Sequence, residues 1–226
     1  VRTDYPVYLD MTEISKDRIE KKLSGLLDDC LTYLHQDIRK EPIAVSPGIH
    51  YFMGGIFVDE CHRTPVKNLY AAGECCCQYH GANRLGGNSL LGAIYGGKIA
   101  AQTACLESPD QTEPFFINKE TLVPTEPAHV PIRLHEILQK AMDVVRDETT
   151  LKTGLAQLQT LQGSRSLLGQ AMIKSALARQ ESRGAHWRSD YPLQNDEIGS
   201  KTTVAVYDGT TIKISFAPIP KRRCIQ

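Results

Sequence analysis

Hydrophobic and polar positions alternate with different periods along the chain, and the changes of period divide it into segments. After Ser15, a residue suited to cap a helix, apolar residues recur at every third or fourth position and predict an amphipathic helix over about Lys16–Asp37. Pro42 marks the end of this helix. Before it, Tyr5–Met11 is typical of a short extended segment, and Pro6 favours an edge position over a central strand.

A run of β-branched and aromatic residues over 43–59 predicts two strands with a glycine break at Gly54-Gly55. Residues 61–67 predict a turn or short hairpin, which leads into a short apolar strand, Leu69–Ala72. The helical period returns at Asn88, where several glycines and alanines predict close packing against a neighbour, because each glycine otherwise costs about 1 kcal/mol in a helix interior.

The second half of the chain is mainly helical. Residues 108–131 contain many of the prolines, have no clear period and predict an irregular linker. Three amphipathic segments that follow predict a small helical bundle; they are Ile132–Asp147, Leu151–Leu161 and Leu167–Arg183. Near the C-terminus, Asp208-Gly209 lies between two alternating stretches and predicts a β-hairpin; its strands are Thr202–Tyr207 and Thr211–Phe216.

Composition and charge argue against several classes of protein. The 226 residues contain 26 basic and 26 acidic side chains, so nothing predicts a nucleic-acid partner or electrostatic binding to an anionic membrane. No apolar run reaches the length of a membrane span. The cysteines are odd in number and three are adjacent at 75–77, which suits no simple disulfide framework and favours a reducing cytoplasm. The chain begins at Val1 without a Met, which is typical of a piece of a longer protein.

The turn after the Leu69–Ala72 strand is the first candidate site. Gly73 permits a tight turn, and the Glu74 carboxylate is placed to accept hydrogen bonds from the sugar hydroxyls of a nucleotide cofactor. The alternative is an ordinary turn at a strand end with a solvated glutamate.

Arg84 and His50 are candidate ligands for an acidic substrate, because both lie in glycine-rich surroundings of low charge. A planar guanidinium binds a carboxylate bidentately, and an imidazole adds a second donor, so the two together would suit a dicarboxylate. The alternatives are an internal salt bridge for Arg84 and a satisfied core histidine for His50.

The helix that starts at Asn88 is the third candidate, because its first N–H groups and its dipole favour an anion such as a phosphate or a reduced flavin. Ordinary capping by Asn88 or Ser89 is the alternative. Cys77 and His80 have ligand-like spacing, but a single such pair does not predict a zinc site, and we expect no metal.

Residues 181–186, with the sequence ESRGAH, allow two interpretations. The first is a helix C-cap whose basic residues match the helix dipole. The second is a turn that bonds across to the candidate site through Arg183 or His186. The sequence leaves both open.

These motifs together resemble the C-terminal half of the succinate dehydrogenase and fumarate reductase flavoprotein subunits. The matching runs are His50–Gly55, Gly73-Glu74, His80–Leu85 and Asn88–Leu90. Glu181–His186, followed by Asp190-Tyr191-Pro192, resembles the signature of the helical C-terminal domain of that family. The resemblance implies an α/β fold that contains the C-terminal portion of a Rossmann-like FAD-binding domain, followed by a small helical bundle with a terminal β-hairpin.

The resemblance also implies a division of the chain into four parts. Residues 1–45 would be the end of a substrate-capping domain, and residues 46–108 the last part of the FAD-binding domain. Residues 109–131 would be a linker, and residues 132–226 the helical domain with its hairpin.

Cofactor and substrate roles follow from the same resemblance. Gly73 and Glu74 would bind the sugar hydroxyls of FAD, and the helix start at Asn88, Ser89 and Leu90 would meet the flavin ring.

His50 and Arg84 would each bind a carboxylate of succinate or fumarate, while hydride passes between the flavin N5 and a methylene carbon. Electrons would be exchanged with an iron–sulfur subunit of a membrane-associated complex. The protein would then be cytoplasmic, held at the inner face of the membrane through partner subunits.

The sequence departs from the family in what it lacks. It has no glycine-rich FAD cradle, no flavin-carrying histidine and no proton-shuttling arginine, which the family places upstream. We therefore expect no catalytic residue in this stretch, no activity of the chain alone, and either self-association or partial disorder near Gly73–Asn88.

One alternative function is that of L-aspartate oxidase, whose substrate-binding residues are the same. Met53 favours a succinate dehydrogenase or fumarate reductase instead, because the oxidase more often has Cys at this position. A catalytically dead scaffold is another.

Overall fold

The computed structural model describes residues 7–46, 48–76, 79–107 and 130–218. The predicted linker therefore lies almost wholly outside the described residues, and the four-part division of the chain stays a prediction. The chain forms two compact units, Val1–His50 and Tyr51–Gln226, which are described separately.

The first unit is a short β-ribbon with a helical segment between its strands. Strand β1 (Val7–Leu9) pairs antiparallel with β2 (Ile43–Val45). Between them lie α1 (Lys16–Lys22), α2 (Ser24–Asp29) and a π-helical turn (Cys30–Leu34). The core of this unit is apolar and is formed by Met11, Ile19, Leu27, Cys30, Ile38 and Ile43.

The predicted single helix over Lys16–Asp37 starts where expected but is broken. Leu23 leaves the helical conformation between α1 and α2, and His35 ends the segment in the left-handed region at φ 54°. The π turn departs from the 3.6-residue period, so that Leu31 and Leu34 are 40% and 52% exposed instead of facing the core.

The first part of the second unit contains less strand than the sequence predicts. Of the strands predicted over 43–59, β2 is present, and the stretch beyond it contributes only an isolated parallel bridge between Ile56 and Cys76. The predicted strand Leu69–Ala72 is reduced to an antiparallel bridge between Arg63 and Tyr70, within the predicted short hairpin. A strand needs partners along its length, and the described residues supply few here.

Helix α3 (Asn88–Leu106) begins at the predicted residue and packs closely, as its small residues predict. A Cβ atom on Gly96 would lie 1.7 Å from the Tyr79 hydroxyl and 2.8 Å from His62 Cε1. A Cβ atom on Gly92 would lie 3.3 Å from His80 Nε2. Hydrogen atoms in place of side chains therefore let aromatic rings contact the helix backbone.

Helices α4 (Val130–Ala141), α5 (Glu148–Gln159) and α6 (Ser164–Ala178) share one apolar core. Its buried members are Ile137, Ala141, Leu151, Leu158, Ile173 and Ala176. Asp147 caps α5 by accepting a hydrogen bond from Thr150 N at 2.8 Å. Helices α4 and α6 end earlier than predicted, which leaves residues 179–195 as a non-helical polar segment before α7 (Asp196–Gly199).

The predicted terminal hairpin is confirmed. Strands β3 (Lys201–Tyr207) and β4 (Ile212–Pro218) pair antiparallel from Lys201 opposite Pro218 to Tyr207 opposite Ile212. Asp208 Oδ1 accepts hydrogen bonds from Thr210 N at 3.0 Å and Thr211 N at 2.8 Å, and Gly209 takes the left-handed φ of 96° that the turn requires.

The described part of the chain is thus a mixed fold of helices and short strands. Parallel pairing among these residues is confined to isolated bridges, so the Rossmann-like portion is not confirmed as a sheet. Cys61 is disulfide-bonded, although the cysteine pattern suited no simple disulfide framework. No helix within the described ranges has both the length and the apolar character needed to cross a bilayer.

Candidate functional site

The Gly73–Glu74 turn is a short 3-10 helix, Gly73–Cys75, at the end of the hairpin. Gly73 is buried and has a φ of 79°, a conformation that favours glycine. Glu74 is exposed, and its Oε1 accepts a hydrogen bond from Phe52 N at 2.9 Å. Its second carboxylate oxygen receives no hydrogen bond from a described residue, so the side chain is oriented but keeps a free acceptor.

The stretch around Gly55 lies directly against this turn. Ile56 N donates to Cys75 O at 2.8 Å, and a Cβ atom on Gly55 would lie only 2.3 Å from the same oxygen. The glycine is therefore required for the close approach of the two backbones, which places the Phe52 amide beside Glu74.

Arg84 is half-buried in the loop that precedes α3, and its guanidinium lies over the Tyr51 ring at 4.7 Å. Its Nη1 donates to Leu85 O at 3.3 Å. Its Nε is buried and has no hydrogen-bond partner among the described residues. A buried guanidinium N–H without an acceptor carries a desolvation cost that an anionic ligand would remove.

Tyr51 interacts electrostatically with both Glu74 and Arg84. Burial and the neighbouring Glu74 charge raise the pKa of Tyr51, whereas Arg84 lowers it, and the net direction is upward. The ring also contacts His80 edge-on, with centroids 5.3 Å apart. A neutral phenol ring thus lies within cation–π distance of the Arg84 guanidinium.

The N-terminus of α3 has no side-chain cap among the described residues. Gly87 occupies the N-cap position at φ 81°, and no described side chain caps the first turn. The alternative of capping by Asn88 or Ser89 is therefore wrong. Asn88 N donates to Leu85 O at 3.3 Å, whereas the N–H groups of Ser89 and Leu90 have no hydrogen-bond partner among the described residues and could bind an anion. Asn88 and Ser89 are half-buried, and Leu90 is 72% exposed.

His50 is exposed and is the last residue of the first unit, whereas Arg84 belongs to the second. The predicted pairing of these two residues on one dicarboxylate therefore stays a prediction.

The Glu181–His186 turn contacts the loop that carries Arg84. Ala185 N donates to Ala82 O at 2.9 Å. The predicted bond across to the site exists, but it is made by the backbone of Ala185 and not by Arg183 or His186.

The side chains of Arg183 and His186 bond within the helical region instead. Arg183 Nε donates to Glu181 Oε2 at 3.2 Å. His186 Nε2 lies 3.0 Å from Arg179 O, which identifies Nε2 as the protonated nitrogen, because a carbonyl only accepts. Nδ1 then accepts from Arg146 Nη1 at 3.3 Å.

Glu181 is the buried anion of this polar segment. Its carboxylate accepts hydrogen bonds from the Arg179 and Arg183 guanidiniums and from Asn195 N at 2.9 Å. Burial raises the pKa of Glu181, but these hydrogen bonds outweigh it, so that the pKa lies below its usual value. The carboxylate is fully paired and serves the structure of the turn.

Sequence reasoning missed three contributors to the site, namely Tyr51, the Phe52 amide and the Ala82 carbonyl. Tyr51 could have been found from the sequence, since it follows His50 in the His50–Gly55 motif. The two backbone groups could not, because almost any residue type carries them.

The described residues fit FAD at two points, the oriented Glu74 carboxylate and the uncapped start of α3. No group of three or more His, Cys, Asp or Glu side chains in the described ranges is arranged to hold a metal ion.

Two family models match the chain. One, described as "FAD binding domain", matches residues 2–90, and the other, "Fumarate reductase flavoprotein C-term", matches residues 164–224. The succinate dehydrogenase flavoprotein subunit of Bacillus subtilis is 31% identical over 243 residues, which cover 88% of this chain and 42% of that protein. L-aspartate oxidase of Pyrococcus horikoshii is 40% identical over 205 residues, which cover 85% of this chain and 42% of that protein.

A solved structure of the E. coli quinol fumarate reductase FrdA matches with a TM-score of 0.81 at 24% identity, covering 100% of this chain and 46% of that one. That structure has the same fold as this chain. The chain spans less than half the length of each of these relatives. The family models and the relatives identify the chain as part of a flavoprotein. The chain belongs to the family of FAD-dependent oxidoreductases that contains the succinate dehydrogenase flavoproteins, the fumarate reductases and the L-aspartate oxidases, and FAD is the cofactor of that family.

Proposed function

We propose that this chain forms part of an FAD-dependent oxidoreductase of four-carbon dicarboxylates, with Arg84 as a carboxylate ligand. The observation that carries the proposal is the Arg84 guanidinium, which lies over the Tyr51 ring with its Nε buried and without an acceptor among the described residues. A carboxylate is the ligand whose two oxygens match that guanidinium. His50 would bind the second carboxylate.

FAD would be held by Gly73 and Glu74 at its sugar hydroxyls and by Asn88, Ser89 and Leu90 at the flavin ring. The free oxygen of Glu74 supplies the acceptor for a hydroxyl. The uncapped N–H groups of α3 supply donors and a positive dipole end, which would stabilise negative charge on the ring.

When bound, FAD supplies hydride transfer to or from a carbon of the substrate. The residues of this chain contribute binding and polarisation. Arg84 withdraws electron density from the carboxylate that it binds, and because the guanidinium already lies over the Tyr51 ring, little reorganisation accompanies the reaction.

The first candidate substrate pair is succinate and fumarate, with electrons exchanged through an iron–sulfur subunit. The relationships to a succinate dehydrogenase flavoprotein and to a quinol fumarate reductase support it. In that case the protein would be cytoplasmic and peripheral to the inner face of the membrane, through partner subunits.

The second candidate substrate is L-aspartate, and it is favoured by a specific observation. Identity is higher to the Pyrococcus horikoshii L-aspartate oxidase, at 40%, than to the Bacillus subtilis succinate dehydrogenase flavoprotein, at 31%. L-aspartate is also a four-carbon dicarboxylate, so the proposed role of Arg84 is the same for both candidates.

The test is replacement of Arg84 in the protein purified with FAD. We expect Arg84→Gln to weaken binding of succinate or L-aspartate about 10- to 100-fold, since a hydrogen bond to a charged group contributes about 1.5–3 kcal/mol. Arg133→Gln is the control, because Arg133 is exposed on α4. Unchanged binding in Arg84→Gln would contradict the proposal. The substrate that is turned over faster by the complete oxidoreductase, of which this chain forms part in the proposal, decides between the two candidates.

A further inference from the structure

We propose that the Arg183–His186 turn of the helical region positions Arg84 for its carboxylate, acting through the backbone of Ala82. The inference rests on the proposed function, because it takes Arg84 as the carboxylate ligand. It assigns a role in substrate binding to a turn whose side chains do not reach the ligand.

The contact between turn and loop is made by backbone atoms and leaves no space between them. Ala185 N donates to Ala82 O at 2.9 Å. A Cβ atom on Gly184 would lie 2.4 Å from Ala82 O and 2.9 Å from Ala82 Cβ. Gly184 also has a φ of 58°, so that both its conformation and its surroundings require glycine.

The turn itself is rigidly held. Arg183 N donates to His186 O at 2.7 Å, and His186 N donates to Arg183 O at 3.1 Å. The Arg183 guanidinium binds the fully buried Glu181 and, at 3.1 Å, Asp196. The turn therefore acts as a fixed support.

The loop that it supports has few contacts of its own. Cβ atoms placed on Gly81, Gly86 or Gly87 would meet nothing within 4 Å. Among the described residues, Arg84 is held by the contact of its guanidinium with the Tyr51 ring and by a 3.3 Å hydrogen bond to Leu85 O. A ligand side chain on a sparsely packed loop depends on neighbouring groups for its geometry, and Ala82 lies close to Arg84 in sequence.

The first experiment replaces Gly184 in the protein purified with FAD and measures binding of succinate and of L-aspartate by calorimetry. We expect Gly184→Ala to weaken binding of the preferred ligand about 10-fold or more, because small displacements of a positioned group have large effects. The FAD content should remain that of the unmodified protein.

Gly209→Ala is the matched control. Gly209 is also left-handed, at φ 96°, but a Cβ atom there would meet nothing within 4 Å. Both variants should lose folding stability through backbone strain, whereas only Gly184→Ala should lose ligand affinity. Equal weakening of binding by both variants would overturn the inference.

A double-mutant cycle separates this inference from the proposed function. If Gly184 acts through Arg84, Gly184→Ala should weaken binding no further in an Arg84→Gln background. Normal binding by Arg84→Gln alone would overturn the proposed function. Weakened binding by Arg84→Gln, combined with an unaffected or fully additive Gly184→Ala, would overturn the positioning role alone.

If Gly184→Ala does not fold, amide hydrogen exchange in the unmodified protein tests the positioning role instead. Coupling is reciprocal, so a ligand that is favoured by the supported loop also stabilises the support. Amide hydrogen exchange at Ala185 should slow when succinate or L-aspartate, whichever binds, saturates the protein. Exchange at Ala185 that is the same with and without bound ligand would overturn the inference.

Discussion

Arg188 and Arg84 show two uses of one side-chain type within the same unit. Arg188 is 1% exposed, with Nε and Nη2 donating to Asp190 at 2.7 and 2.6 Å and Nη1 donating to Ala176 O at 2.8 Å. Its donors are used within the protein, as those of a structural arginine must be. Arg84 keeps a buried N–H without an acceptor among the described residues, and this difference from Arg188 supports its proposed role as a carboxylate ligand.

Glu181 provides a test of the buried ion pairs. Glu181→Gln removes the charge that compensates Arg179 and Arg183, and we expect the free energy of unfolding to fall by about 3–5 kcal/mol, as when one partner of a buried pair is removed. Urea denaturation measures this change. Glu136→Gln, at an exposed position of α4, should have almost no effect; a similar loss in both variants would contradict the expectation.

His186 predicts a pH dependence of stability. Burial and then the nearby charges of Arg146, Arg179 and Arg188 lower its pKa below 6.5, and these effects exceed the opposite effect of its bond to Arg179 O. The unfolded chain therefore binds the proton more readily, so stability is fully present above pH 6.5 and is lost as the pH falls towards the folded-state pKa. The free energy of unfolding, measured by urea between pH 8 and pH 5, should decline, and this decline should be smaller in His186→Gln.

At the scale of elements, α3 has two faces with different packing. Gly92 and Gly96 contact the aromatic rings of His80 and Tyr79, whereas Leu91 and Ile94 are exposed. One face is fixed by close contact and the other is unpacked within the described residues.

The glycines of α3 give a matched pair of substitutions. Gly97→Ala should raise the free energy of unfolding by up to about 1 kcal/mol, because alanine favours helix and a Cβ atom there meets nothing within 4 Å. Gly96→Ala should lower it, because the new Cβ atom would overlap the Tyr79 hydroxyl. Thermal unfolding measures both, and stabilisation by Gly96→Ala would show that Tyr79 can move aside.

At the scale of the whole molecule, the exposed apolar surface of α3 is the feature that bears on association between chains. Leu90, Leu91 and Ile94 are 72%, 67% and 72% exposed. Contiguous exposed apolar residues favour association. The predicted self-association therefore has a physical basis on this helix.

Sedimentation velocity over a range of concentrations tests this prediction. We expect the unmodified chain to associate and the double variant Leu91→Ser, Ile94→Ser to shift towards the monomer. Leu193→Ser, at an isolated residue that is 79% exposed, is the control and should leave association unchanged. A chain that is monomeric at every concentration would contradict the prediction.

The candidate site was predictable where side chains carry the chemistry. Arg84, Glu74 and the start of α3 stood out from their residue types and from the neighbouring glycines. The hydrogen bonds from Phe52 N to Glu74 and from Ala185 N to Ala82 could not be predicted, because every residue except proline has a backbone amide and the sequence does not mark it.

The sequence by itself determined where α1 and α3 begin and where the last turn falls, whereas α4, α5 and α6 each begin two or three residues before the predicted position. The start of α3 at Asn88 and the turn at Asp208-Gly209 follow from helical period, glycine conformation and local hydrogen bonding, which act within a few residues. Only the tertiary structure decided that Leu69–Ala72 is not a full strand and that Gly184 lies against Ala82. Both outcomes depend on which distant segment is adjacent, and long-range proximity is a property of the folded chain that no local pattern contains.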